Sequence, residues 1–175
     1  MARILFLHGA SSSGKSTLAR VLRDAAPMPF LHLSIDHLRD SGAWNPSAYS
    51  DWRSARPQFF SGFHRALAGF ADAGNDLIIE HILDTPGWHA ELASLLRAHR
   101  ILFIGVQTPL ETLCAREEAR GDRPKGSAAS DFERVHKGLS YDLVLDGAAD
   151  PATNAEHALR ALLQQQAPSQ FFTTA

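Results

Sequence analysis

The chain has 175 residues, 45% hydrophobic and 21% charged, which fits one globular domain and excludes a wholly disordered chain. Its 17 Lys and Arg against 19 Asp and Glu leave a formal charge of -2, so no global positive field exists for nucleic acid or an anionic membrane, and any polyanion has to be held locally. The single cysteine, Cys114, closes no intramolecular disulfide, and no apolar run approaches the roughly 20 residues of a membrane span, so a cytoplasmic location is expected.

The first apolar run, Ile4-Leu5-Phe6-Leu7, predicts a buried strand leading into Gly9-Ala10-Ser11-Ser12-Ser13-Gly14-Lys15-Ser16-Thr17. That stretch fits G-x-x-x-x-G-K-[ST] and opens a helix, the context the pattern requires. Its glycines let backbone amides wrap around phosphates, the helix N-terminus adds positive potential, Lys15 reaches the terminal phosphates, and Ser16 is the side chain expected to hold Mg²⁺. A second run, residues 31–35, ends at Asp36, placing a carboxylate at the carboxyl end of a strand, where open α/β sheets hold their ligands. There it would take a proton from a substrate hydroxyl, a role compatible with capping a helix through His37-Leu38-Arg39.

Residues 41–56 show neither helical nor strand period and predict a loop or short helices over the sheet's carboxyl edge. Within them Trp44 and Trp52 are candidate walls of a pocket for an apolar or aromatic acceptor, whereas Phe59, Phe60 and Phe63, at helical spacing, are expected in the core. Leu77-Ile78-Ile79 predicts the third strand, and Glu80 at its end is a candidate for orienting Mg²⁺ or the acceptor, ranked above Asp84.

Thr85-Pro86 predicts a helix at about residues 87–97, and Thr108-Pro109-Leu110-Glu111 reads as a capping box after the fourth apolar run, 101–106. The next helix carries Arg116 and Arg120 on one face and breaks at Gly121. With Arg123 close behind, the cluster suits a mobile lid whose guanidiniums neutralise a transferring phosphoryl group. His136 and Tyr141 precede the last strand, Leu143-Val144-Leu145, and receive no role. Asp150-Pro151 opens a final helix to about residue 165, and residues 166–175 are expected to form a flexible tail. Five buried strands alternating with helices make an α/β fold with a parallel sheet, one domain over residues 1–165.

Several of these stretches resemble the chloramphenicol phosphotransferases, small P-loop kinases that phosphorylate the primary hydroxyl of that antibiotic. They are Ser11-Ser12-Ser13-Gly14-Lys15-Ser16, Ile35-Asp36, Ile78-Ile79-Glu80 where the family places an Asp, Ala119-Arg120-Gly121-Asp122-Arg123, and Val135-His136-Lys137-Gly138-Leu139-Ser140-Tyr141-Asp142. The resemblance covers most of the chain. It implies the three-layer P-loop NTPase fold of nucleoside monophosphate and shikimate kinases, a five-stranded parallel sheet flanked by helices with a short Arg-bearing lid, and ATP and Mg²⁺ as cofactors. It implies Asp36 as base, Gly9 through Thr17 as phosphate loop, and Arg120 and Arg123 as lid arginines.

Two departures bear on the acceptor: Glu80-His81 stands where paired aspartates are expected, and residues 39–63 are shorter and differently composed. The resemblance therefore implies ATP-dependent phosphorylation of a small-molecule hydroxyl ahead of chloramphenicol itself. The same machinery would serve a sugar acid, a nucleoside or a shikimate-like diol, with Arg39, Arg53 and Arg56 at hand for an anionic acceptor, or a cell-wall precursor. A nucleotide-binding regulatory module is the alternative of another class, and the carboxylate at Asp36 speaks against it.

Overall fold

The innermost strand, β1 (Arg3–His8), is flanked on both sides, and its Ile4, Leu5, Phe6 and Leu7 are fully buried. A computed structural model describes residues 1–120 and 126–173 of the protein, Arg120 by its backbone only. Five parallel strands lie in the order β2-β3-β1-β4-β5, with β2 at Leu31–Ser34, β3 at Leu77–Glu80, β4 at Arg100–Gln107 and β5 at Leu143–Asp146. Helices cover both faces, which is why the strands read as continuous apolar runs and not as alternations. Ile4 and Phe6 enter one core with α3 (Trp52–Asp72) and α4 (Trp88–Leu95). Leu5 and Leu7 enter the other with α1 (Lys15–Ala25) and α7 (Pro151–Gln164).

The chain fills the β2 and β3 side of β1 first and then crosses to β4 and β5, so a crevice opens at the carboxyl end of β1. The register pairs Leu7 with Glu80 and Ser34 with Glu80, bringing the ends of β1, β2 and β3 level. α2 (Ile35–Asp40) follows β2 without a loop, and α5 (Leu110–Arg120) and α6 (Ser127–Phe132) follow β4. Leu113, Ala128 and Val135 pack with Ala10 of the phosphate loop.

Three boundaries differ from expectation for local reasons. α3 begins at Trp52, inside the stretch expected to be irregular, because Asp51 caps it by accepting from the Ser54 amide at 3.3 Å. α5 begins at Leu110 and not at Pro109, and the Thr108 hydroxyl donates to the Ser13 carbonyl at 2.9 Å. α4 starts after Gly87 and not on a Thr85 cap, because the Thr85 hydroxyl is engaged with Arg56 and Asp84. By contrast, Asp150 caps α7 as expected, accepting from the Thr153 amide at 3.0 Å with Pro151 in the first turn.

The end of the chain also departs from the expected flexible tail. Phe171 is fully buried between Phe6 and Phe103, with ring centroids at 4.8 Å and 5.1 Å. The Asp142 carboxylate fixes the approach by accepting from the Phe103 and Gln170 amides, both at 2.7 Å, and from the Ser169 hydroxyl. A composition of Gln, Pro and Ser reads as solvated; two consecutive phenylalanines supply the apolar area that docks it.

Candidate functional site

The loop between β1 and α1 wraps as its sequence predicts. Gly14 takes the left-handed conformation at φ 98, which a side chain resists, and Ser12 joins it at φ 64, a strained choice of the kind found at ligand-holding loops. Lys15 is buried, and its Nζ donates to the carbonyls of Gly9 (2.8 Å) and Ala10 (2.6 Å) and to Ser13 Oγ (3.2 Å), so the loop holds its own cation over the concavity. Ser13 is held in turn by Thr108, and the Ser11 amide donates to the Asp131 carboxylate at 2.9 Å, tying the loop to β4's end and to α6. The concavity is ready to take an anion of phosphate geometry.

Beside it, Ser16 Oγ donates to Glu80 Oε2 at 2.8 Å, and the other Glu80 oxygen lies 2.5 Å from His32 Nε2. Burial pushes the Glu80 carboxyl up, but the hydrogen bonds from His32 and Ser16 outweigh it and hold the group ionised below the ordinary carboxylate range. His32, on β2, is a positioning residue that sequence reasoning missed, and its place two residues before Ser34, on the same face of the strand, was the available signal. No group of three or more His, Cys, Asp or Glu among the described residues gathers into a metal cage. The oxygen pair Ser16 and Glu80, one carboxylate and one hydroxyl beside a phosphate loop, nonetheless suits Mg²⁺, which prefers few protein ligands and completes its shell with phosphates and water.

Asp36 stands across from this pair, in the first turn of α2, with Ser34 and not Asp36 as the helix cap. Its Oδ1 lies 3.1 Å from Arg39 Nη1. Ser11 through Thr17, Asp36 and Glu80 line one cleft of about 690 Å³. At the end near Asp36 the walls are Ile35, Phe60, His81, Ile82 and Trp88, with Arg56 and Asp84 at the rim. Burial drives the His81 imidazole down to about 3, so it is a neutral wall element, its Nε2 held 2.8 Å from His64 Nε2.

The aromatic side chains divide differently from expectation. Trp44 and Trp52 are not among the residues lining the cleft; they pack on one another at 5.1 Å and on Phe59 at 4.8 Å and 5.5 Å, because the early start of α3 turns that face toward them. Phe60, expected only in the core, and Trp88, which received no role, form the wall in their place, with centroids 4.2 Å apart.

The opposite end of the cleft is formed by Arg116, Ala119 and residues 147–151 with Asn154. Arg116 Nη1 donates to the Gly147 carbonyl at 3.0 Å, leaving a flat guanidinium against a backbone loop, a slot suited to a planar ring. Its shared face with Arg120 was visible in the sequence; its contact with the loop after β5 was not. Of the lid arginines, Arg123 and the side chain of Arg120 lie outside the described residues. The flanks of that segment are fixed by Glu117, whose carboxylate accepts from the Gly126 and Ala128 amides, both at 2.8 Å.

The family model described as chloramphenicol phosphotransferase-like protein matches residues 2–164. A Mycobacterium tuberculosis protein named as a candidate O-phosphotransferase is 25% identical over 172 residues, covering 85% of this chain and 76% of that one. Among solved structures, a sugar kinase from Janibacter superposes with a TM-score of 0.67 at 22% identity, covering 93% of this chain and 95% of that one. The Mycobacterium tuberculosis APS kinase gives 0.66 at 18% over 93% and 98%, and the Acinetobacter baumannii shikimate kinase 0.66 at 16% over 95% and 96%. These three likenesses establish the fold, that of P-loop kinases.

Proposed function

The chain belongs to the chloramphenicol phosphotransferase-like family, and from that premise we propose that it is a phosphotransferase moving the γ-phosphoryl group of ATP, with Mg²⁺, to the hydroxyl of a small molecule. The observation that carries this reading is the shared cleft: the phosphate loop, the Ser16–Glu80 pair and the Asp36 carboxylate face one space, with an aromatic wall beside Asp36. The adenine ring would lie between Arg116 and residues 147–151, leaving the phosphates along the loop amides.

In the transfer itself, the acceptor oxygen forms a bond to the γ-phosphorus as the bond from that phosphorus to the β-bridging oxygen breaks, and ADP departs with the bridging electrons. Asp36 takes the hydroxyl proton, which requires it to be ionised and within reach of an acceptor resting on Phe60 and Trp88. Lys15 moves from its carbonyl partners to the phosphate oxygens, exchanging dipoles for a full negative charge. Mg²⁺, when bound through Ser16 and Glu80, supplies neutralisation of the phosphate charge. Arg120 and Arg123 are proposed to add to it from the lid.

Asp36→Asn is expected to keep nucleotide affinity and to lose roughly 10²-fold or more in kcat, the scale of general-base catalysis. Calorimetric ATP binding and a product assay on the same preparation read the two quantities separately. An unchanged kcat removes Asp36 from the mechanism. The family name makes chloramphenicol the first acceptor to offer, followed by a library of other alcohols.

A further inference from the structure

The charge at the acceptor end of the cleft carries an inference that rests on the phosphotransfer reading and names its substrate class. Of the four arginines between Asp36 and β3, Arg65 is exposed beside Ser61 and Glu91, and Arg39, Arg53 and Arg56 are the supply on which an anionic acceptor would draw. None presents an uncommitted guanidinium to the cleft. Arg39 pairs with Asp36 and Asp40, both at 3.1 Å, and Arg53 is exposed and does not line the cleft. Arg56 does line it, but its Nη2 donates to both oxygens of Asp84 at 3.1 Å and 3.3 Å and its Nη1 to Thr85 Oγ1 at 2.7 Å. The same guanidinium lies over the rings of Phe60 and Trp88, 4.9 Å and 4.5 Å from their centroids, which fixes its plane.

At the acceptor end Asp36 is paired with Arg39, Glu80 with His32, and Arg56, the arginine that lines the cleft there, with Asp84. A carboxylate-bearing acceptor entering here would have to displace Asp84 from Arg56 and then sit beside the displaced carboxylate, a like-charge arrangement that selects against it. A neutral acceptor meets no such opposition, and its apolar face finds Phe60 and Trp88.

We propose that Asp84 is a charge filter: by occupying the Arg56 guanidinium it closes the cleft to carboxylate-bearing acceptors and reserves it for neutral hydroxyl compounds with an apolar face. Asp84 is a specificity residue and takes no part in the transfer. Removing its charge returns Arg56 to service as an anion-binding group, because the fork of donors and its aromatic seat are already in place.

Benzoate and benzyl alcohol, a carboxylate and an alcohol on the same ring, test the filter without requiring turnover. Their affinities are measured by tryptophan fluorescence titration on the wild-type protein, Asp84→Asn, and Asp84→Asn with Arg56→Gln. The expected result is that Asp84→Asn tightens benzoate relative to benzyl alcohol by about 10-fold, the worth of one charged hydrogen bond, and that Arg56→Gln cancels the gain. An unchanged ratio in all three proteins, or no benzoate binding to any, overturns the filter. Turnover is read in parallel on a hydroxyl library divided by charge, where the wild-type protein phosphorylates neutral members and Asp84→Asn gains carboxylate-bearing ones. An unchanged binding ratio alongside normal turnover counts against this inference alone. Absence of any phosphorylated product counts against the phosphotransfer reading, while the binding ratio still decides the filter.

Discussion

At the scale of single residues, the site is held by close approaches that leave no room for substitution. A Cβ on Gly147 would lie 2.1 Å from Thr108 Oγ1 and 2.2 Å from the Ser13 carbonyl, the two atoms whose hydrogen bond ties β4's end to the phosphate loop. Gly147→Ala is therefore expected to weaken ATP binding by roughly 10-fold or more through displacement of the loop. Gly69→Ala, on the outer face of α3 where nothing lies within 4 Å, should leave ATP binding intact. Equal affinities in the two variants, measured by calorimetry, would refute this account of the loop. His8, fully buried at the end of β1, bears on stability. Burial pushes its imidazole well below the ordinary histidine range, and His136 and Lys15 add to the effect. Below about pH 6.5 the unfolded chain takes up a proton that folded His8 refuses, so stability is complete above that pH and falls as pH drops beneath it. Urea midpoints at about pH 7.5 and about pH 5.5 should show this fall, and His8→Gln should reduce it. A fall of the same size in the variant would contradict the assignment.

Among the elements, the docked terminus shows what composition hides. Phe171 completes the core on the α3 and α4 face, and His89 of α4 lies 2.8 Å from its carbonyl. Phe171→Ala is expected to cost about 3–5 kcal/mol in chemical denaturation, as for other buried phenylalanines; a loss below about 1 kcal/mol would mean the segment contributes no core. The same competition between local signal and tertiary contact explains the helix starts. Asp150 follows the local rule, accepting from the amide and the hydroxyl of Thr153 in its own first turn. Thr85 and Thr108 carry the same residue type before a proline, yet Arg56 and Ser13 claim their hydroxyls from afar.

For the whole molecule, the sheet and the phosphate loop were legible because both are written in contiguous residues: buried parallel strands demand unbroken apolar runs, and the loop's glycines and Lys15 stand at fixed spacing. Asp36 and Glu80 were legible for a related reason, as carboxylates at the carboxyl ends of apolar runs, Glu80 closing β3 level with Ser34 and Asp36 two residues beyond Ser34 in α2. The aromatic wall beside Asp36 was not. Phe60 lies on α3 and Trp88 on α4, and only the crossing of those helices over the β3 end sets them together, while Trp44 and Trp52 turn to each other. Arg116 and the loop after β5 likewise meet only in the folded chain. No helix among the described residues is long and apolar enough to cross a membrane.

One cleft is proposed to carry phosphoryl groups from ATP to a hydroxyl through Asp36. The most direct test is mass spectrometry of chloramphenicol and a neutral alcohol library after incubation with the protein, ATP and Mg²⁺, run beside Asp36→Asn. The expected result is an acceptor heavier by one phosphoryl group with the wild-type protein and its near-absence with Asp36→Asn, although both bind ATP. ATP bound without any phosphorylated acceptor, or equal product from both proteins, would contradict it.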